Sequence, residues 1–573
     1  MKIRHADKVV ILLLFWVYGT AAKAYDLFRN SRSNYQIVLF PNASTTEKTA
    51  AEELQSYLKE ISNAQLPIVS FSSHMGGQRI FIGYHPDIST TIAADQPADD
   101  DDGFTYKTIG DDLYIYGGRN RGTMYGVFAF LENELRVRWY TKDVTRIPQR
   151  RRYALPSLNH TEKPVVKYRY VQFHKFNTDS AVYAHNKMNM VWDAMPTQYG
   201  KLHNYWGVHT SEWLVPTKQY YNTHPEYFSY RQGRRIPNSQ LCLSNPEVLR
   251  LVIANLKTKV NPVIDYWCYD VSQNDNQLFC ECDNCKKLEA RYGGHAGIWV
   301  WFVNQVAAAL PHIKVGTFAY QYTRHAPKNI VPRENVVIRL CSQECCFAHP
   351  IETCPENQAF MQDYRDWMKL TKNIFIWDYV VNFDQYLPPF PNFAVLKPNI
   401  QTFVKHNAMA VLELGQYTSG DGEFSEMRAW VISKLLWNPQ LDTDSLVHDF
   451  IYGYYGKAAP SIARYHGLVQ SLVKPYTHIG CYIKGTNKIF TDQFIAEAEK
   501  CIITAYQQSE NAEIRRRVKM VELQLLYLQF ARNRIKALSD GTYPKLLKII
   551  QEERPHINEG ITAEEFIQKN GYI

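Results

Sequence analysis

The pattern of apolar and polar positions divides the chain into three parts. Residues 25–160 combine short apolar runs with a helical repeat at residues 45–61, which indicates a small α/β domain. Residues 161–440 alternate apolar runs with amphipathic helical segments, and this alternation is typical of repeated βα units. Residues 441–573 show helical periodicity alone. The pattern therefore predicts an α/β chain whose central domain lies between a small α/β domain and an α-helical domain.

Eight apolar runs in the central part predict the strands of one barrel. Helices fit between the later runs, at residues 297–310, 357–370 and 398–406. Eight strands alternating with helices over about 270 residues suit a (β/α)8 TIM-like barrel, whose chemistry lies on the loops that follow the strands. The predicted strands are residues 167–173, 189–192, 205–209, 264–271, 314–320, 336–341, 374–380 and 410–415.

The first 24 residues have the pattern of a signal peptide. A basic start precedes an apolar run at residues 9–17, and Ala22 and Ala24 supply the small residues of a cleavage site. The run is too short to span a bilayer. We therefore expect an exported protein, periplasmic or secreted and associated with the cell surface, without insertion in the membrane.

Charge and composition narrow the classes of partner. The formal net charge of +8 is dispersed along the chain without a long basic run, which argues against a nucleic acid. Aromatic residues make up 14% of the chain. Their faces stack on the apolar faces of sugar rings, although a large core also uses aromatic residues. A glycan or glycoprotein partner is compatible with this composition.

The cysteines are concentrated in one stretch. Nine of the eleven lie within residues 242–354, where Cys280, Cys282 and Cys285 form the densest group and residues 345–354 hold three more. The CxCxxC spacing resembles half of a zinc site, but no second CxxC or HxxxH pair completes four ligands. Export favours disulfides. We therefore expect disulfides or buried free thiols rather than a metal, and the predicted chemistry requires no cofactor.

Polar and aromatic side chains collect where the predicted strands end. Cleavage of a glycosidic bond needs a proton donor and a group that stabilises an oxocarbenium-like transition state, and carboxylates among aromatics provide both. The fourth strand leads into Asn274 and Asp275, and the eighth contains Glu413. The candidate substrate-binding residues are Trp206, His209, Gln273, Tyr320, Trp377, Asp378, Tyr379, Asn382 and Tyr417.

The three candidate catalytic residues have distinct predicted roles. Asp275 is the first choice for the acid/base, because it follows the fourth strand in a run of polar side chains at residues 272–276. In sites of this kind, burial raises the pKa of one carboxyl until it holds a proton at neutral pH. Asn274 could orient the N-acetyl group of a substrate, whose amide oxygen would then act as the internal nucleophile. Glu413 is either the rival acid or the partner of Asp275 in a two-carboxylate mechanism.

Each assignment has a structural alternative. Asp275 could cap the next helix, and Asp270 could be a buried hydrogen-bonding group. Glu413 lies between Leu412 and Leu414 in a buried strand, and an isolated buried carboxylate is costly. It is therefore either salt-bridged or functional. The aromatic and histidine candidates could equally belong to the core.

Five motifs carry a resemblance to a known family. They are HPEYF at 224–228, QLCLSNP at 240–246, DVSQNDN at 270–276 with the CxCxxC that follows, WDYVVNFDQYLPPFPN at 377–392, and KLLWNP at 434–439. The chain resembles bacterial proteins with domain of unknown function 4838, part of which is classified as glycoside hydrolase family 163, endo-β-N-acetylglucosaminidases acting on N-glycans. The N-terminal unit resembles the non-catalytic domain that precedes the barrels of β-hexosaminidases and α-glucuronidases.

The resemblance implies a retaining hydrolase that is assisted by the N-acetyl group of its substrate. By position in the motif, Asn274 and Asp275 would take the place of the Asp-Glu acid pair of β-hexosaminidases. The expected activity is cleavage of β-N-acetylglucosaminide linkages in glycans, with N-glycans favoured and endo action expected. Two alternatives stay open: hydrolysis of another glycosidic bond, such as a uronide, and glycan binding without catalysis.

Overall fold

The computed structural model describes residues 25–73, 76–192, 196–261 and 266–570. The predicted signal peptide, residues 1–24, lies outside the described residues. Within them the chain forms an N-terminal α/β part, an eight-stranded parallel barrel and a C-terminal set of helices, as the sequence predicts. Of the described helices, none combines the length and the apolar character that crossing a membrane requires.

The N-terminal part is built around a mixed sheet. Its helices are α1 (Thr45–Ser62), α2 (Pro86–Ile92) and α3 (Gly122–Asn133). Its strands are β1 (Tyr25–Arg29), β2 (Tyr35–Leu39), β3 (Ile68–Ser70), β4 (Gln78–Ile82), β5 (Phe104–Ile109), β6 (Asp112–Gly117), β7 (Arg138–Thr141), β8 (Val144–Arg146), β9 (Arg152–Leu155) and β10 (Asn159–Glu162). Six of them form one sheet in the order β10-β5-β6-β4-β2-β3, against which α1 and α3 pack.

The central part forms the barrel. Its strands are β11 (Tyr168–Gln172), β12 (Met190–Val191), β13 (His203–Trp206), β14 (Tyr230–Arg231), β15 (Arg234–Arg235), β16 (Cys268–Asp270), β17 (Val315–Ala319), β18 (Val336–Cys341), β19 (Ile374–Tyr379) and β20 (Ala410–Leu414). Strands β14 and β15 make a separate hairpin. The other eight are ordered β11-β20-β19-β18-β17-β16-β13-β12, and every paired neighbour is parallel. Strands β11 and β12 lie side by side and bring the ring close to closure.

Helices surround the barrel strands. They are α4 (His174–Asn177), α5 (Ser180–His185), α6 (Ser211–Leu214), α7 (Thr217–Tyr220), α8 (Pro246–Lys257), α9 (Asp283–Tyr292), α10 (His295–Ala309), α11 (Gln358–Leu370), α12 (Phe393–Lys405) and α13 (Ser425–Trp437). Helix α12 begins five residues before the predicted start at Pro398, which lies inside it. The predicted third strand is displaced, because β13 ends at Trp206 and leaves His209 in the loop.

The C-terminal helices pack on the barrel. They are α14 (Thr443–Tyr455), α15 (Ala459–Gln470), α16 (Asp492–Gln508), α17 (Ala512–Arg532), α18 (Arg534–Ser539), α19 (Thr542–Glu553) and α20 (Ala563–Asn570). Phe450, Ile462 and Leu528 belong to the same apolar core as Trp430 of the barrel. The first helices of this tail therefore share a core with the barrel.

A buried ionic group joins the N-terminal part to the barrel. Asp102 accepts from the guanidiniums of Arg121 and Arg169, both at 2.7 Å, and from the amide of Asn189 at 2.7 Å. Burial alone would raise the pKa of Asp102, but the two guanidiniums lower it below its ordinary value. Because a buried charge is tolerated only when it is paired, this cluster fixes how the two parts meet.

Candidate active site

A cavity of about 850 Å³ opens at the carboxyl ends of the barrel strands. This is the end at which (β/α)8 barrels carry their chemistry. Aromatic rings form much of its wall, with carboxylates, histidines and amides among them. The lining residues are Tyr170, Gln172, His174, Asn177, Thr178, Ser180, Val191, Trp192, Pro196, Val208, His209, Asp275, Phe318, Tyr320, Cys341, Gln343, Trp377, Tyr379, Phe383, Leu414, Tyr417, Tyr482 and Glu559.

Asp275 is exposed to the cavity from the loop after β16. The hydroxyl of Tyr320, which follows β17, donates a hydrogen bond of 3.2 Å to its Oδ1 atom. Burial raises the pKa of Tyr320, so the hydroxyl keeps its proton at any working pH. The carboxylate is therefore held by a donor from the neighbouring strand while it faces the space that a substrate would fill.

The residues before Asp275 hold its loop. The amide nitrogen of Asn274 donates to the carbonyl of Ser239 at 2.8 Å, and its Oδ1 accepts from the backbone of Glu212 at 3.0 Å. Gln273 donates from its amide to the hydroxyl of Thr323 at 2.8 Å. Neither side chain lines the cavity. Asn274 and Gln273 therefore stabilise the loop, and their side chains do not face the space that a ligand would occupy.

His209 lines the cavity close to Asp275. Its backbone has a φ of +51°, an uncommon conformation for a residue with a side chain. Its Nδ1 atom lies 2.8 Å from the carbonyl oxygen of Gln273. A carbonyl can only accept, so Nδ1 carries the proton and Nε2 is the free acceptor of a neutral ring. Burial lowers the pKa of His209, which favours that neutral form.

Glu413 and Asp378 lie behind the cavity wall. They are register partners on β20 and β19, whereas Trp377, Tyr379 and Leu414 face the cavity. Successive side chains of a strand point to opposite faces, so these two carboxyls turn away from the mouth of the barrel. The sequence predicted Glu413 as the rival acid or the partner of Asp275, but in the structure its side chain does not line the cavity.

Both of these carboxyls are almost completely buried. Burial raises the pKa of Asp378 to about 6, even though the Ser342 hydroxyl and the backbone N–H of Tyr379 donate to it. Burial, with the adjacent charge of Asp378, raises the pKa of Glu413 well above its usual range. Burial therefore favours the neutral form of the Glu413 carboxyl.

The other predicted binding residues divide into two groups. Tyr320, Trp377, Tyr379 and Tyr417 line the cavity, as does His209. Trp206 does not, and packs edge-on against Trp213 with the ring centroids 5.7 Å apart. Asn382 is buried and exchanges hydrogen bonds of 2.7 and 3.0 Å with the backbone of Ile483. Asn382 therefore holds a loop of the C-terminal tail over the barrel.

Two loops of the tail complete the cavity. Tyr482 accepts a hydrogen bond of 2.8 Å from the amide of Gln343, and both residues line the wall. Glu559 stands at the rim beside the hydroxyl of Tyr417. Burial raises the pKa of Glu559, the Tyr417 hydrogen bond lowers it and the charge of Asp275 raises it, with a net increase.

Sequence reasoning missed Tyr482 and Glu559. Both residues lie in stretches between helices of the tail. Their position in loops was the one feature of the sequence that could have suggested a place in the site. Backbone hydrogen bonds of 2.7 Å, from Phe383 to Cys481 and from Tyr386 to Ile557, attach both loops to the barrel. The carboxylate that shares the cavity with Asp275 therefore comes from the tail and not from a barrel strand.

Asp270 lies deep in the barrel and not in the cavity. It is 1% exposed, forms an ion pair with Arg339 of β18, and accepts from the hydroxyl of Ser272 at 2.5 Å. Arg339 in turn lies over the ring of Phe318 at 4.4 Å. Asp270 is therefore a buried hydrogen-bonding group, as the sequence analysis had allowed.

The cysteines form no disulfide in the described part of the chain, which holds all eleven. Of the two alternatives expected from the sequence, disulfides are therefore wrong for this structure, and the thiols are free. Two groups of side chains instead come together outside the cavity, each with ligand atoms within 4.8 Å of one another. One contains Cys242, Cys280, Cys282 and Cys285, and the other Cys346, His349, Cys354 and His478.

The family of the chain follows from its central part. The family described as "Domain of unknown function (DUF4838)" matches residues 139–467, more than half of the chain. The chain belongs to the DUF4838 family. In this member the matched region includes every strand of the barrel and the Asp275 loop. The "Glycosyl hydrolase family 67 N-terminus" matches residues 23–130, within the N-terminal α/β part.

A solved structure shows a similar fold at low sequence identity. A family GH115 4-O-methyl-α-glucuronidase with specificity for decorated arabinogalactans aligns with 92% of this chain and 77% of its own, at 11% identity and a TM-score of 0.58. The chitobiase of Flavobacterium johnsoniae (11% identity, 93% and 94% coverage, TM-score 0.47) and CpGH84D (11%, 92% and 90%, 0.48) are more distant in shape. No curated protein sequence matches this DUF4838 chain.

Proposed function

We propose that this DUF4838 protein is a glycoside hydrolase that acts at the barrel cavity, with Asp275 as its acid/base. The observation that carries the proposal is the Asp275 carboxylate, held by the Tyr320 hydroxyl within an aromatic-lined cavity at the carboxyl end of a (β/α)8 barrel. The shared fold of the GH115 glucuronidase supports the same reaction class. The resemblance of the motifs to those of endo-β-N-acetylglucosaminidases favours a β-N-acetylglucosaminide as the substrate.

The charge of the cavity favours a neutral N-acetylated sugar over a uronide. A uronide carries a carboxylate, which binding sites usually pair with Arg or Lys. Among the lining residues that the structure describes, none is Arg or Lys. Burial lowers the pKa of both His174 and His209, which favours the uncharged ring of each. Asp275 and Glu559 are acidic side chains and offer a uronate no opposite charge.

In the proposed reaction the substrate supplies its own nucleophile. Asp275 donates its proton to the glycosidic oxygen while the acetamide oxygen of the same sugar attacks the anomeric carbon. The bond to the leaving alcohol breaks, and an oxazolinium ring forms. Asp275, now a carboxylate, takes a proton from a water molecule that opens the ring, and the product keeps the configuration of the substrate.

Amides of the cavity are suited to orient the acetamide. Asn274 is occupied by backbone groups, so we assign this role to Gln172 instead. Gln172 lines the cavity, and its buried Oε1 atom has no hydrogen-bond partner among the described residues. That oxygen would accept the acetamide N–H and turn the carbonyl oxygen toward the anomeric carbon. The ring of Trp377 offers an apolar face for the sugar.

Release of sugars from an N-glycoprotein tests the proposal. The wild-type chain is incubated with a complex-type glycoprotein, and the products are measured by mass spectrometry. We expect release that falls at least a hundredfold in Asp275→Asn and persists in the control Asp444→Asn, an exposed aspartate on α14. Release of whole glycans would indicate endo action, and release of single sugars exo action. Equal release by wild type and Asp275→Asn would contradict the assignment.

Two further outcomes separate the alternatives. A thiazoline that mimics the oxazolinium ring should inhibit the wild type only if the acetamide takes part. Glycan binding without release would favour a binding protein, and cleavage of uronides alone would favour the second hydrolase class. The predicted leader of residues 1–24 would place the protein outside the cytoplasm, where glycoprotein substrates occur.

A further inference from the structure

Four cysteine sulfurs converge behind the Asp275 loop. Cys280, Cys282 and Cys285 lie at the start of α9, and Cys242 comes from the segment before α8. The four Sγ atoms all lie within 4.8 Å of one another, and three of the four cysteines are buried. Cys242 thus supplies the fourth ligand that the CxCxxC spacing lacks.

The distances between the sulfurs fit a metal and not a disulfide. The Sγ of Cys242 lies 3.7 Å from that of Cys282 and 3.9 Å from that of Cys285. A disulfide joins its sulfurs at about 2.05 Å. Four thiolates at about 2.3 Å from a tetrahedral zinc ion lie about 3.8 Å apart. Both measured distances agree with the edges of such a tetrahedron.

We propose that Cys242, Cys280, Cys282 and Cys285 bind one structural zinc ion. The surroundings suit thiolates. The backbone N–H of Tyr230 donates to the Sγ of Cys280 at 3.3 Å, and the guanidinium of Arg235 lies 3.9 Å from the same sulfur. Four protein ligands close the coordination sphere, which is the arrangement of structural rather than catalytic zinc.

The site lies next to the residues that hold Asp275. Gln240, two residues before Cys242, donates from its amide to the carbonyls of Asn274 and Asn276, both at 2.7 Å. Cys280 itself is only five residues beyond Asp275. The zinc would therefore hold the C-terminal end of the loop that carries the carboxylate, and through Gln240 it would also support the middle of that loop.

The metal content of the purified full-length chain tests the proposal directly. We expect bound zinc in the wild type by plasma mass spectrometry, and one zinc fewer per chain in Cys285→Ser. Cys501→Ser, a buried cysteine of α16, is the matched control and should keep the full content. Replacement of the bound zinc by Co²⁺ in the wild type should produce the visible absorption of a tetrahedral thiolate complex. This measurement does not depend on whether the variants fold. A mass that shows disulfides among these four cysteines, or no zinc, would overturn the proposal.

A second cluster offers two cysteines and two histidines, a common ligand set of structural zinc. The Sγ of Cys346 lies 3.8 Å from Nδ1 of His349 and 3.4 Å from Nδ1 of His478, and the Sγ of Cys354 lies 3.6 Å from Nδ1 of His478. With Zn–S about 2.3 Å and Zn–N about 2.05 Å, a tetrahedral ion separates sulfur from nitrogen by about 3.6 Å. All three distances agree with this value within about 0.2 Å.

A hydrogen bond to one histidine leaves its other ring nitrogen facing the cluster. The Nε2 atom of His349 lies 3.2 Å from the carbonyl oxygen of Lys474. The carbonyl can only accept, so Nε2 carries the proton and Nδ1 keeps its lone pair toward the cluster. A hydrogen bond of this kind to the far nitrogen is the usual support of a metal-bound histidine.

We infer that Cys346, His349, Cys354 and His478 bind a second zinc ion, which attaches the tail to the barrel. His478 belongs to the tail, four residues before Tyr482 of the cavity wall. The backbone of Phe347 donates to the carbonyl of Ile479 at 2.8 Å, in the same contact. The ion would hold in place the loop that brings Tyr482 to the substrate.

The second site has its own test. We expect two zinc ions per wild-type chain and one in His478→Ala, while His448→Ala, an exposed histidine of α14, should retain two. The loss should also speed limited proteolysis within residues 471–491, and it should leave the cobalt spectrum of the four-cysteine site in place. An unchanged zinc content in His478→Ala, or a Cys346–Cys354 disulfide in the wild type, would overturn this inference.

Discussion

The hydroxyl of Tyr320 donates a hydrogen bond of 3.2 Å to Oδ1 of Asp275, across the ends of two neighbouring barrel strands. Tyr320→Phe removes this donor and keeps the ring in the wall. A hydrogen bond to a charged group contributes about 1.5 to 3 kcal/mol. We therefore expect kcat/KM to fall at least about tenfold, measured with a glycan substrate in steady state.

The control for this change is Tyr476→Phe, since Tyr476 is 82% exposed outside the cavity. It should leave kcat/KM as in the wild type. If Tyr320→Phe does so as well, the hydrogen bond does not position the acid/base.

Glu559 should act on activity and not on folding. It stands at the exposed rim of the cavity, so Glu559→Gln should change the free energy of unfolding by less than about 0.5 kcal/mol. The pKa of Glu559 is raised. As the pH falls, the wild type should therefore lose the negative charge of Glu559 at a higher pH than an ordinary glutamate would. We expect the acidic limb of the profile of kcat/KM against pH to change in this variant.

Glu564→Gln, an exposed glutamate of α20, is the matched control for the pH profile. An identical acidic limb in Glu559→Gln and wild type would show that Glu559 takes no part in binding or reaction.

The buried pair of Glu413 and Asp378 should make stability depend on pH. Both pKa values are higher in the folded chain, so the folded state keeps protons that the unfolded state has lost. Their contribution to stability is therefore complete below about pH 4 and is lost as the pH rises. Glu413→Gln stays neutral, so it should be more stable relative to wild type at pH 8 than at pH 5.

Chemical denaturation at the two pH values measures this difference. Glu52→Gln, on the exposed face of α1, should show the same offset from wild type at both. If the difference in unfolding free energy between Glu413→Gln and wild type is also equal at the two pH values, Glu413 is already ionised at pH 5.

His466 should have the opposite effect on stability. Its ring is buried edge-on against Phe393 at 4.8 Å, and burial, with the charge of Arg428, lowers its pKa to about 4. Because the unfolded chain binds a proton near pH 6.5, the stability contribution is present above that pH and is lost as the pH falls toward 4. We expect His466→Gln to lose less stability than wild type between pH 7 and pH 4.5.

Denaturant titrations at these two pH values provide the test, with His448→Gln as the exposed control. A wild-type and a His466→Gln chain that lose equal stability would show that His466 is protonated in the folded state.

The sequence predicted the barrel well because its strands are buried on both faces. The run at residues 336–341 coincides with β18, and those at 374–380 and 410–415 exceed β19 and β20 by one residue each. Continuous apolar runs of this kind mark strands of a parallel sheet. The third run was displaced because a long polar stretch surrounds it.

The sequence could predict only those parts of the site that depend on residues close together in the chain. The position of Asp275 follows from the end of a strand, and the structure does bring it to the cavity. Glu413 shows the limit, since both faces of a barrel strand are buried and apolar neighbours do not reveal which face a carboxyl takes. Tyr482 and Glu559 reach the cavity by long-range packing, which the periodicity of the tail does not encode.

The tail loops that hold Tyr482 and Glu559 have a consequence for how such proteins diverge. Asp275 and its supporting tyrosine belong to the barrel, whereas these two wall residues belong to a separate stretch of chain. Under the proposed function, changes in the tail would alter which glycan binds while Asp275 and Tyr320 stay in place. The region that matches the family ends at residue 467, before both loops, so divergence of this segment would leave the matched barrel unchanged.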